Sequence, residues 1–507
     1  MIFTEQNSLY KAMLSRDARY DGRFYVGVKT TGIYCRPTCP ARPKRENVTF
    51  YRSQAESENA GYRPCLRCRP DISPTHAMWD GTGAVVARAI QIISDGGADD
   101  VSLERLAGRL GVTGRHLRRL FDQHVGAAPI DVATSKRLHL ARQLLSQTAM
   151  PVTEIAFASG FKSIRRFNDA FKARYRRSPR DFRHQGLSAA TGDELRLRIP
   201  VLAPYDWDFH LRGRIAHLVS GAETAVGGRF QRVIRMKDRA VFIDVGFIED
   251  ESELDVVVHG ARVDDLRPLM GIVRRAFDTQ VNPLAVESAS KIKFGGVRLP
   301  GAFDPFETAV CVILGQLIST EQALQKVERL VRRFGRPVGE PRGGLTHFFP
   351  APETLATANL REIGLTKVRE NAIRELSQRV ARGSIDLSPS ADFSAAREKL
   401  LEVPGIGPWT AEMIAMKCLG DADSYPASDL IVRRAVEKLG LDESKWKPWR
   451  SYLCLWIWKN YAQSLSKKGT KNETQLSKVE KPSRSASSRR KLTKPARGRV
   501  QRELARA

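Results

Sequence analysis

Four of the chain's seven cysteines fall within one short stretch, as Cys35-x3-Cys39 and, after 25 intervening residues, Cys65-x2-Cys68. The first 70 or so residues around them are rich in Gly, Pro and Arg and carry few long apolar periods. A module this small cannot bury enough surface to hold itself together, so it needs a staple. Thiols two or three residues apart on a pair of turns converge on one tetrahedral ion, and two such pairs fill a closed zinc site. Seven cysteines in 507 residues are too few for a disulfide framework. The spacing therefore predicts one Zn2+ on Cys35, Cys39, Cys65 and Cys68, and by itself it points to a structural site.

At 507 residues the whole chain is too long for one core, and its length suggests roughly three domains. A hydrophobic fraction of 42% is ordinary for globular protein, but a formal charge of +27 is not. So much self-repulsion points to a polyanionic partner, and DNA is the first expectation. The opening "MIFTEQNSLYKAMLSRDARY" is charged throughout, and no window approaches the roughly 20 apolar residues a membrane span needs. These features predict a cytoplasmic, DNA-facing protein with no membrane partner.

Residues 83 to 183 read as helices. "VSLERLAGRLGVTGRHLRRLF" (101 to 121) and "PVTEIAFASGFKSIRRFNDAF" (151 to 171) echo each other, Ala107 and Gly111 recurring as Ala156 and Gly160. Each places a Gly at a turn before a basic helix, as a helix-turn-helix requires. Recognition helices are expected to begin near Thr113 and Lys162. Arg115, Arg118, Arg119, Arg165, Arg166 and Asn168 are then the side chains for phosphate or base-edge contact. Residues 183 to 194 read as a linker. "LRLRIPV", "AVFIDVGF" and "ELDVVVHG" read as strands, and the periodicity is helical from about residue 264 to about residue 462. The last stretch, 463 to 507, holds 14 Lys and Arg against 3 Glu, and is expected to be a disordered basic tail.

In "LEVPGIGPWTAEM" (401 to 413), Gly405 and Gly407 let backbone amides approach a phosphate at the mouth of a helix. Sixteen residues on, Asp429 stands alone in "PASDLIVRR", where it can cap a helix starting at Leu430. Trp409, Trp458 and Leu317 would otherwise be read as core.

Three resemblances sharpen these readings. "DGRFYVGVKTTGIYCRPTCPARPKRENVTFY" with "AGYRPCLRC" resembles the methyl-phosphotriester acceptor module of the Ada family. The resemblance implies that Cys35 accepts a methyl group from DNA while all four cysteines bind zinc. Residues 83 to 183 resemble the AraC-type DNA-binding domain. "GVRLPGAFDPFETAVCVILGQLIS", "LLEVPGIGPWTAEMIAM", "DSYPASDLIVRRA" and "WKPWRSYLCLWIW" resemble the AlkA branch of the helix-hairpin-helix DNA glycosylases. In that family Asp429 would face the sugar of a flipped nucleotide, Trp409 and Trp458 would line the base pocket, and Leu317 would fill the gap in the duplex. Met413 and Leu430 stand where the best-known relatives have tyrosines, so this pocket is less aromatic. Relatives that also cut the strand carry a Lys at the position of Trp409, which implies a monofunctional glycosylase. No Pro-Cys-His-Arg run exists, so an alkylguanine transferase domain is not expected.

The resulting expectation is a multidomain, mainly α protein. Residues 1–78 form a small zinc-bound α/β module and 79–183 a paired helix-turn-helix domain. Residues 195–290 form an α+β subdomain, 291–462 an all-α helix-hairpin-helix glycosylase domain, and 463–507 the tail. The functional expectation is removal of alkylated bases such as 3-methyladenine, joined to a methyl switch for transcription, with promoter and damaged DNA and RNA polymerase as partners. Two alternatives remain: a regulator whose inactive glycosylase fold only holds DNA, and a purely structural zinc module.

Overall fold

The cysteine pairs are brought together by strand neighbours. In a computed structural model of the protein, which describes residues 6–73, 82–97, 101–183, 194–290 and 292–468, the N-terminal module is a four-stranded sheet. Its order is Val48–Tyr51, Tyr25–Val28, Ile33–Cys35, Arg63–Pro64. The first three strands are antiparallel, and the short Arg63–Pro64 strand runs parallel to Ile33–Cys35. Cys35 ends one of these two adjacent strands and Cys65 follows the other, its amide donating to the Tyr34 carbonyl at 3.0 Å. The module's own apolar cluster holds six buried side chains, Leu9, Ala12, Met13, Phe24, Val26 and Val48, with a few others such as Tyr34 and Val28 buried beside it. That is too small a core to stand without the staple.

The two helix-turn-helix copies are built alike. Leu103–Arg109 and Gly114–Val125 form the first, Val152–Ala158 and Ile164–Tyr175 the second, and the helix Pro129–Gln147 joins them. Gly111 and Gly160 both adopt positive φ (72° and 88°) in the turns, so the echo in the sequence marks one shared backbone requirement. Thr113 and Ser163 cap the second helix of each copy, each hydroxyl accepting an amide at N3.

All three expected strands of the α+β subdomain are present, in a five-stranded antiparallel sheet. Its order is Glu194–Pro200, Glu253–His259, Arg239–Ile248, Arg229–Met236, Glu223–Val226. The last two strands were not expected from sequence. Arg229–Met236 hides its alternation because an inward position is Arg232, only 4% exposed and ion-paired with Glu223 and Glu307. The sheet packs against the helix Leu266–Ala276, and its core is continuous with Phe167, Phe171 and Tyr175 of the second helix-turn-helix.

Among the described residues after 264, one strand pair breaks the run of helices. Arg336–Arg342 and Leu345–Phe348 pair as an antiparallel hairpin, a correction to the all-α expectation for 291–462. Pro337 and Pro341 cannot sit inside a helix, and Gly343–Gly344, both at positive φ, close the turn. Most of the expected linker (184–193) and most of the basic tail (469–507) lie outside the described residues. The chain through Tyr461 packs as one unit, and no helix among the described residues is long and apolar enough to cross a membrane.

Candidate active site and metal centre

Asp429 is both a helix cap and the focus of a constellation. It precedes the helix Leu430–Leu439, and its Oδ1 accepts from the amides of Ile431 (3.1 Å) and Val432 (3.0 Å). Two indoles close on the same half-buried carboxylate: Trp458 Nε1 donates to Oδ1 at 3.3 Å and Trp409 Nε1 to Oδ2 at 3.2 Å. A carboxylate offers about four acceptor positions. Oδ1 takes three donors, while Oδ2 takes one among the described residues.

The loop that delivers Asp429 is pinned by groups the sequence reading did not single out. Glu412, on the helix Pro408–Ile414, takes the Ser424 hydroxyl (2.6 Å) and the Tyr425 amide (2.9 Å). Arg397 ties Glu412 to Asp421, at 2.8 Å to each. Arg450, at the start of the helix that carries Trp458, pairs with Asp423 at 2.7 Å. Their only sequence signal was an unusual density of Asp and Ser in "DADSYPASD".

Trp409 opens the second helix of the glycine hairpin. Gly405 has φ 93°, and a Cβ there would stand 3.0 Å from the Ala372 Cβ, so only glycine seats the hairpin on the helix Lys367–Ala381. Gly407 is exposed, and a Cβ there would meet nothing within 4 Å. Leu317 is fully exposed (102%) at φ 54°, the opposite of a core leucine. Leu430 is also exposed, whereas Met413 is buried at 7% in the core against which Trp409 packs.

The four N-terminal cysteines converge, with all ligand atoms within 4.8 Å of one another. Four thiol donors at this spacing fit a tetrahedral zinc ion. Hydrogen bonding from Cys35 holds the Cys39 thiol at about 7, while Cys39 in turn pushes the Cys35 thiol up. Cys35 and Cys39 are buried; Cys65 and Cys68 are half-buried. By contrast, burial pushes the isolated thiols of Cys311, Cys418 and Cys454 up, which keeps them protonated.

The module docks on the regulator through buried charge. Tyr34, next to Cys35, donates its hydroxyl to Glu58 Oε1 (2.8 Å); the His139 ring lies 3.0 Å from the same oxygen, and Arg174 pairs with Oε2. Asp71, just past Cys68, pairs with Arg142 of the joining helix. Arg115, Arg118, Arg119, Arg165, Arg166 and Asn168 are all exposed on the two recognition helices. Arg119 lies 3.1 Å from the His116 ring, and Arg165 sits 4.0 Å from Asp169.

Family models match in the same order along the chain: the metal-binding domain of Ada (8–71), a helix-turn-helix domain (106–185), the AlkA N-terminal domain (196–304) and the HhH-GPD superfamily of base excision DNA repair proteins (310–452). A Mycobacterium tuberculosis protein, "Probable bifunctional transcriptional activator/DNA repair enzyme AlkA", is 38% identical over 89% of this chain and 95% of its own length. The chain belongs to that family. Its two halves each match separate proteins. The Escherichia coli "DNA-3-methyladenine glycosylase 2" is 29% identical, covering 50% of this chain and 94% of the relative. The Bacillus subtilis "Bifunctional transcriptional activator/DNA repair enzyme AdaA" is 30% identical, covering 36% of this chain and 84% of the relative. The family thus joins an Ada-type zinc-binding module and regulator to an AlkA-type glycosylase fold, with DNA as the shared partner.

Proposed function

We propose that this protein hydrolyses the N-glycosidic bond of alkylated bases, 3-methyladenine among them, with Asp429 as the catalytic carboxylate. The single observation that carries this reading is Asp429 held between the indole N–H groups of Trp409 and Trp458 with Oδ2 left open. As the C1′–N bond breaks, its electron pair leaves with the base and positive charge grows on the sugar. A fixed anion stabilises that charge more in the transition state than in the ground state. Water then adds to C1′ and loses a proton, leaving an abasic site; Trp409 offers no amine to form a Schiff base and cut the strand. The faces of Trp409 and Trp458 favour a cationic alkylated base, Leu430 borders the pocket and Met413 backs it. Leu317 occupies the gap in the duplex, and the backbone at Gly405 and Gly407 takes a phosphate. Purified protein should release 3-methyladenine from methylated duplex; intact DNA binding with no release would leave the regulator-only reading.

The N-terminal module accepts a methyl group at Cys35. Zinc bound by Cys35, Cys39, Cys65 and Cys68 would keep their sulfurs as thiolates at neutral pH. A bond forms from the Cys35 sulfur to the methyl carbon as the O–CH3 bond of the phosphotriester breaks, and the electron pair stays on phosphate. One negative charge is lost at the module, which then approaches the DNA backbone more easily. The two recognition helices, through Arg115, Arg118, Arg119, Arg165, Arg166 and Asn168, carry this switch to a promoter and RNA polymerase in the bacterial cytoplasm. The functional division follows 1–78, 79–183, 195–290 and 291–462, with the tail 463–507 adding charge. Because Cys35 is buried while Cys65 and Cys68 are half-buried, the modified residue is the informative readout. Peptide mapping after exposure to methylated DNA should find one methyl on Cys35; a methyl on Cys65 or Cys68 reassigns the acceptor, and none leaves a structural zinc site.

A further inference from the structure

Leu317 is a leucine with everything against its placement. Its side chain is fully exposed, and its φ of 54° lies in the left-handed region that a bulky residue rarely enters. Such an arrangement persists only where surrounding contacts impose it. The residue before it supplies them. Gln316 Nε2 donates to the Gly405 carbonyl at 3.1 Å and to Thr410 Oγ1 at 2.8 Å, while the Gln316 carbonyl accepts from the Arg369 guanidinium. On the far side, Ser319 caps the helix Thr320–Phe334 in a reciprocal box with Gln322, so Leu317 and Ile318 bridge two fixed ends.

These contacts close a triangle. Arg369 lies on the helix Lys367–Ala381, the same helix on which the hairpin is seated at Ala372. The residue that would grip a phosphate, the residue that would enter the duplex and the helix behind both are therefore joined by side-chain bonds from Gln316 and Arg369. We propose that Gln316 and Arg369 are positioning residues that lock the exposed Leu317 to the glycine hairpin, so that gripping the backbone and wedging the duplex are one rigid-body event. This rests on the glycosylase reading and adds to it a mechanical requirement: the lock is needed only when a base must be forced out of a paired stack. A base already unpaired requires no wedge.

The test compares single-turnover release of one alkylated base from paired duplex and from a single strand. Gln316→Ala should lose about thirtyfold on the paired substrate, the scale of its two side-chain hydrogen bonds, and Arg369→Ala about fivefold, the scale of one, while both lose under about threefold on the single strand. Gln316→Ala should add little to Leu317→Gly on paired DNA, because both remove the same wedge. Equal losses on both substrates, or full additivity with Leu317→Gly, would overturn the proposal. Gln316→Glu, which keeps the size but faces the Gly405 carbonyl with an acceptor, should show the same selective loss with an unchanged melting temperature, which guards against misfolding of the alanine variant. A wild-type protein inert on both substrates would instead overturn the glycosylase reading.

Discussion

Replacing Trp409 by Phe keeps an aromatic ring over the pocket but removes the N–H that donates to Asp429 Oδ2 at 3.2 Å. Among the described residues Oδ2 has no second hydrogen-bond donor, so it loses its one fixed partner. Trp458→Phe takes one donor from Oδ1, which still holds the amides of Ile431 and Val432. Both indole bonds are at the long end of the range, so each is assigned about 1 kcal/mol rather than the larger values of charged pairs. If all of it acts in the transition state, Trp409→Phe slows base release by about fivefold. Trp458→Phe, with Oδ1 still anchored, slows it by less than about threefold. The assay is single-turnover release at saturating enzyme, which removes binding from the comparison. A Trp409→Phe rate equal to wild type, or a larger loss from Trp458→Phe, would refute the view that the indoles position this carboxylate.

Glu58→Gln leaves Arg174, whose side chain is only 14% exposed, without its carboxylate, at a cost of about 3 kcal/mol. Amide exchange along Ile164–Tyr175 should therefore quicken; unchanged protection would show that the docking charge is dispensable. Burial holds His139 down at about 3, below the value of about 6.5 it takes when unfolded. The unfolded chain thus gains its proton first, so stability is full above about pH 6.5 and falls as pH drops from there toward 3. A denaturant midpoint that falls between pH 7.5 and 5, with a smaller fall in His139→Gln, is expected; equal falls in the two would assign the effect elsewhere. Chelating zinc should melt residues 6–73, whose own apolar cluster holds six buried side chains, while base release continues. Loss of release in parallel would mean that the module supports the glycosylase directly.

What the sequence revealed and what it hid follow from the range of the interactions. Cysteine spacing, the paired glycines of the helix-turn-helix and the Gly405–Gly407 turn are local requirements of backbone or ligand geometry, and each left a short pattern. Asp429 stood out because a lone acid in an apolar and basic run needs a reason. The partners of Asp429 did not stand out. Trp409 and Trp458 read as pocket aromatics, and nothing local shows that their N–H groups meet one carboxylate from 20 and 29 positions away. Glu58, His139 and Arg174 likewise form one buried cluster from three distant segments. The strand Arg229–Met236 was masked by its inward-facing Arg232, and the hairpin at 336–348 by its short length amid helices. Gln316 carries no local signal either, because its bond to the Gly405 carbonyl spans 89 positions.

In the proposed mechanism one carboxylate, which caps a helix through two amides and is bracketed by two indoles, stabilises the sugar as the base departs. Asp429→Asn is nearly isosteric and keeps an oxygen for the Ile431 and Val432 amides, so fold and DNA binding should persist. Measured side by side with wild type on methylated duplex, the variant should bind with unchanged affinity and release base at least about a hundredfold more slowly, on the scale of losing one preorganised electrostatic group. Release at the wild-type rate would remove Asp429 from the chemistry and take the proposed mechanism with it.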